Sequence, residues 1–140
     1  MNEDNDVFGE LIYSYTRKQA IEDGVLVDVT KLAREAGWVM PVALTRAVWD
    51  RYVMVPDGVA GQDETGRLWD LLWMCRIQAH RLRGEQPEML FKLHVRNDNR
   101  EGTPPLVTLK AHCGWDDRVA VVTIMLLGAR EKLPTLTRLK

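Results

Sequence analysis

His94 and His112 each lie in an alternating segment beside Lys92, Arg96 and Lys110, and this grouping is the first place to look for chemistry. Two imidazoles on neighbouring strands of natural register would approach one another and make half of a zinc site. A third ligand would have to come from elsewhere, and the nearby cations would oppose a divalent ion, so no metal ligand is assigned. His80 shares no ligand spacing with the other two histidines. Cys75 and Cys113 have no CxxC or Cys/His spacing around them and read as reduced thiols, which points to the cytoplasm. GxSxG, P-loop, HExxH and dinucleotide signatures are all missing from the sequence. The expectation is a non-enzymatic protein with no catalytic, cofactor-binding or metal residues.

Binding is the other use for these side chains. Lys92, His94, Arg96, Lys110 and His112 fall on the polar side of two alternating segments and form the most basic surface that the pattern predicts. Such a face can meet phosphates or an acidic protein surface. It can equally be a solvated face whose charges guard against aggregation. No aromatic residues interleave with the cations, as they do in single-strand nucleic-acid binders. Trp115, in the expected turn GWDDR, joins the five as a candidate for partner contact.

The elements that position these residues are organised around Asp63–Glu85. Leu68, Leu71, Leu72, Cys75, Ala79 and Leu82 recur there at helical spacing, and Trp69, Trp73 and Ile77 form a second row on the adjoining side. Three short helices precede this long one. Thr16 and Gln19 make a capping box for Arg17–Asp23, which Gly24 closes. Thr30 opens KLAREA before Gly37, and Thr45 caps Arg46–Val53. Trp38–Leu44 is extended around Pro41. Trp38, Trp49, Trp69 and Trp73 are expected to pack on one another.

Beyond Pro87 the period becomes two. Met89, Phe91, Leu93 and Val95 alternate with polar positions, as do Val107, Leu109, Ala111 and Cys113 after the loop Asn97–Pro105. Gly114, Asp116 and Asp117 read as a turn into Val119–Leu127, which is apolar on both faces and so belongs in a central or doubly covered position. The expected fold is α+β: short N-terminal helices and one long helix packed on an antiparallel three-strand meander. An N-terminal strand, Leu11–Tyr15 or Val25–Val29, should pair beside the third strand. A homodimer completing that strand across a symmetry axis is the other way to cover it.

The length of 140 residues fits a single domain, and a net charge of −1 gives no bulk attraction to nucleic acid or membrane. Acidic residues crowd the start and basic residues the end, so 1–7 and 129–140 read as flexible tails. The acidic opening lacks the basic segment of a signal peptide. The apolar run Val119–Leu127 is too short to cross a bilayer as a helix.

The blocks LIYSYTRKQAIEDGVLVDVTKLAREAGWVMPVALTRAVW, TGRLWDLLWM, PLVTLKAHCG and VVTIML together resemble an uncharacterised domain family of bacteria and their plasmids, phages and integrative elements, over about Phe8 to Leu127. The resemblance implies an intracellular accessory protein of a mobile genetic element. Small proteins in that setting often block host defence, as anti-CRISPR or anti-restriction proteins do, by binding a protein or ribonucleoprotein complex such as a CRISPR effector. A nucleic-acid-binding role for the basic face is the alternative. IYSYT followed by IEDGVL also resembles the opening of ADP-ribosyltransferase-like domains, which implies NAD binding as a second alternative. The His or Arg of that pattern is replaced around Tyr13–Tyr15, and no late strand carries the expected glutamate.

Overall fold

The computed structural model describes residues 16–83 and 86–128. The segment Leu11–Tyr15 and the tails 1–7 and 129–140 lie outside the described residues. The protein is a mixed α+β fold: a five-stranded sheet with helices on both faces. In chain order the elements are α1 (Arg17–Glu22), β1 (Leu26–Asp28), α2 (Thr30–Glu35), β2 (Val42–Thr45), α3 (Arg46–Val48, running into a π-helical turn Trp49–Val53), α4 (Glu64–Arg81), β3 (Glu88–His94), β4 (Leu106–Asp116) and β5 (Val119–Leu126).

Across the sheet the strand order is β1-β2-β5-β4-β3. The pairs β3/β4 and β4/β5 form the antiparallel meander. The neighbour of β5 on its other side is not the Val25–Val29 strand but β2, which pairs with it in parallel. β1, from within Val25–Val29, lies one place further out and is antiparallel to β2. The reason is burial: all four residues of β2 are shielded on both faces, whereas Asp28 of β1 is exposed, which suits an edge. With β2 and β4 on either side, β5 has no edge left for a symmetry mate.

Local chemistry explains most element ends. Thr16 Oγ1 accepts from the Gln19 amide while the Gln19 side chain accepts from the Thr16 amide, a complete capping box, and Gly24 leaves α1 at φ 80°. Thr30 is the first residue of α2 rather than its cap. Its amide and hydroxyl both donate to Asp28 Oδ1, and Val42 N donates to Thr30 Oγ1, which ties α2 to β2. Thr45 ends β2 and caps α3 through a hydrogen bond from Val48 N. Asp63 caps α4 by accepting from Gly66 N at 2.7 Å. That helix stops at Arg81, short of Glu85, because Arg83 takes the left-handed conformation at φ 58°.

The main core lies between α4 and the inner face of the sheet. Leu68, Leu71, Leu72 and Cys75 of α4 meet Val42, Leu44, Val122, Ile124, Leu109, Phe91 and Leu93. Each such fully buried Leu or Ile contributes roughly 1.5–3 kcal/mol. Trp38 belongs to this core, and its indole N–H donates to the Leu72 carbonyl oxygen. On the outer face α1 packs Ala20 against Leu26 and Ala43. Beneath α1, Arg17 is buried, donating from Nη1 to Thr123 Oγ1 and from Nη2 to the Val122 carbonyl oxygen. Burial holds its pKa below the ordinary arginine value, against the attraction of Asp116 and Asp28.

Candidate functional site

The register of β3 on β4 decides what the basic face looks like. Glu88 lies opposite His112, Leu90 opposite Lys110, Lys92 opposite Thr108 and His94 opposite Leu106. His94 and His112 therefore sit at opposite ends of the pair, separated by six rungs or about 20 Å at ~3.3 Å per residue. The two imidazoles do not approach, and among the described residues no group of three His, Cys, Asp or Glu side chains could hold a metal ion.

Two of the five basic candidates are engaged by their own loop. Arg96 donates to the carbonyl oxygens of Arg100 and Gly102, beside Asp98 at 3.9 Å. His94 Nδ1 lies 2.8 Å from the Pro104 carbonyl oxygen. These contacts fold the Asn97–Pro105 loop back on the end of β3. Lys92 and Lys110 remain diagonal neighbours on the outer face, where exposed Leu90 and Leu106 and the carboxylate of Glu88 dilute their charge. His112 is half-buried, and its Nδ1 is sealed from solvent with no hydrogen-bond partner. Burial lowers its pKa, Glu88 opposes that shift and Lys110 reinforces it.

Trp115 is not at a turn tip. β4 continues through Gly114 and Trp115, which pair with Val121 and Ala120, and the reversal is made by Asp117 and Arg118. Asp117 takes φ 61°, a left-handed conformation that Asp tolerates, so the hairpin needs no glycine. Trp115 and Val119 near this turn are both about half exposed.

A more organised surface lies on α4. Trp69 is half-buried against the core and Trp73 is 40% exposed, their rings stacked with centroids 6.2 Å apart and planes 8° apart. Arg76 places its guanidinium 5.7 Å from the Trp73 ring centre. Such a contact contributes ~0.5–1 kcal/mol at an exposed site. Gly37 makes room for it: a Cβ there would lie 2.5 Å from Arg76 Nε. Past Arg76 the ridge continues into a shallow depression lined by Ala79, His80 and Arg83. The tryptophan row is evident from the i, i+4 spacing, and the weaker sequence signal for Arg76 is its i+3 offset from Trp73.

On the opposite shoulder of α4, Met74, Ile77, Gln78 and Arg81 line a groove of about 460 Å³ against Leu90, Phe91 and Lys92 of β3. Cys75 is buried, with its thiol pKa pushed far up by burial, while Cys113 is exposed. No described helix is long and apolar enough to cross a membrane. Compared with protein-family models, curated proteins and solved structures, the chain matches none.

Proposed function

We propose that this protein acts by binding, and that the Trp69–Trp73–Arg76 ridge of α4 docks on an acidic surface of a protein or ribonucleoprotein complex. The observation that carries this reading is the ridge itself. A large aromatic ring is held half out of the core, stiffened by a stacked neighbour and topped by a guanidinium. Trp and Arg are the side chains that most often dominate binding energy, and a pre-stacked pair loses little conformational freedom on docking. The charge preference comes from Arg76 with Arg83 beyond the helix end lining the same depression, and after Asp70 the described residues of the helix bear no carboxylate.

The sequence resemblance to a mobile-element family makes a host-defence complex, such as a CRISPR effector or a restriction enzyme, the first target to try. Immobilised protein would be titrated with purified defence complexes, beside Trp73→Ala and Arg76→Glu. The expected result is saturable binding weakened at least 30-fold, about 2 kcal/mol, by either change. Binding that is unaltered in both variants, or no saturable binding to any defence complex, overturns the reading.

A further inference from the structure

The open edge of β3 is self-complementary, and we infer that it pairs with β3 of a second copy of this chain, antiparallel about a two-fold axis at Leu90. This does not rest on the proposed target, which uses the other shoulder of α4.

Hydrogen bonding fixes which backbone groups face outward. Val95 N donates to the Pro105 carbonyl oxygen and Cys113 N to the Pro87 carbonyl oxygen. In an antiparallel pair the bonded rungs alternate with unbonded ones. Odd-numbered residues of β3 are thus committed to β4, and Glu88, Leu90 and Lys92 turn their N–H and C=O groups toward the edge. Among the described residues β3 ends the sheet, so no strand meets those groups.

The side chains at these positions become charge-complementary when the strand is reversed against itself. With Leu90 set opposite Leu90 of a second copy, Glu88 meets Lys92 of that copy and Lys92 meets its Glu88. Leu90 is 46% exposed, and both flanking charges are exposed as well. Opposite charges on facing rungs and an apolar pair at the centre are the arrangement that stabilises adjacent strands. A one-rung slip would move each charge off its partner and turn Leu90 away from Leu90, so the pattern specifies one register.

The groove beside this edge fits the same axis. Leu90 and Lys92 line it together with Met74, Ile77 and Arg81 of α4. A two-fold axis normal to the sheet brings the second α4 in antiparallel, on the same side of the sheet. Positions 70, 74, 77 and 81 share a helical stripe. Met74 and Ile77 give the groove an apolar wall that the second copy can cover. The edge is complementary to itself about one operator, as an isologous interface requires, and the groove lies next to it.

The test is solution mass by sedimentation equilibrium, under reducing conditions so that exposed Cys113 forms no cross-link, for wild type, Glu88→Lys, Lys92→Glu and the double exchange. Wild type and the double exchange are expected to be dimers. Each single variant sets like charges opposite one another and is expected to be monomeric, while an equimolar mixture of the two singles forms a heterodimer. Circular dichroism on each variant separates loss of pairing from loss of fold. A wild type that stays monomeric to about 1 mM overturns the inference. So does a dimer whose mass ignores the single exchanges, or singles that fail to recombine.

Discussion

Arg67 and Asn97, thirty positions apart, are joined by a hydrogen bond of 2.7 Å from the guanidinium Nη2 to the side-chain Oδ1. The same guanidinium donates from Nε to the Val53 carbonyl oxygen and from Nη1 to the Arg96 carbonyl oxygen. One side chain of α4 thus holds the π-helical turn and the end of β3, and Asn97 completes the tie by donating to the Arg51 carbonyl oxygen. Arg67 is 7% exposed, and burial lowers its pKa. Removing a buried guanidinium strands three acceptors, and hydrogen bonds to charged groups are worth about 1.5–3 kcal/mol each. Arg67→Met should therefore lower the denaturation midpoint by the equivalent of roughly 2–4 kcal/mol with an unchanged m value. Arg67→Lys should recover little, since one ammonium cannot reach three diverging acceptors.

Gly37 makes a second prediction about α4, this time on its tryptophan side. Its φ of 103° is a conformation that side chains rarely adopt, and a Cβ would press on the Arg76 guanidinium. Gly37→Ala should destabilise the fold by ~1 kcal/mol or more and swing Arg76 off Trp73. The backbone share persists when the side chain is shortened. In an Arg76→Ala background Gly37→Ala should still destabilise, whereas the change in Trp73 fluorescence that it causes alone should vanish. A Gly37→Ala substitution that costs nothing in that background would mean that the left-handed backbone carries no strain.

Legibility followed the range of the interaction. The capping box of Thr16 and Gln19, the α4 stripe Leu68–Leu71–Leu72–Cys75 and the alternation of Met89, Phe91 and Leu93 are signals within one or two turns or rungs, and each lies where the spacing puts it. β2 was harder. Trp38–Leu44 reads only as extended around Pro41 with Thr45 as a cap, and it is the parallel pairing with a strand eighty residues later that makes Val42–Thr45 the neighbour of β5. Register was lost in the same way. Nothing local says that His112 faces Glu88 and His94 faces Leu106, and that long-range fact dissolves the two-histidine grouping. Buried arginines are the third failure, because Arg17 and Arg67 look like surface cations. Arg67 nevertheless stands at i−4 from Leu71 and i−8 from Cys75, squarely in the buried stripe.

His112 should contribute a pH dependence to stability. Its ring faces Glu88 across the β3–β4 pair and Thr123 across the β4–β5 pair, with Lys110 two residues away on its own strand. Nδ1 is buried without a partner, so protonating it would create a buried N–H donor with no acceptor. Burial first, then Lys110, hold the folded-state pKa below the ordinary histidine value, and Glu88 only partly offsets them. In the window between those two values the unfolded chain binds more protons than the folded one, so stability rises with pH there. Above the ordinary histidine value the contribution is flat. As the pH falls below it stability is lost, until the folded protein also protonates. Urea midpoints measured from about pH 7.5 down to about pH 5 should decline in wild type. His112→Gln, which keeps a polar side chain that does not titrate, should decline less over that range. Glu88→Gln removes the offsetting carboxylate and should steepen the decline, and a His112→Gln profile identical to wild type would show that this ring is not the source.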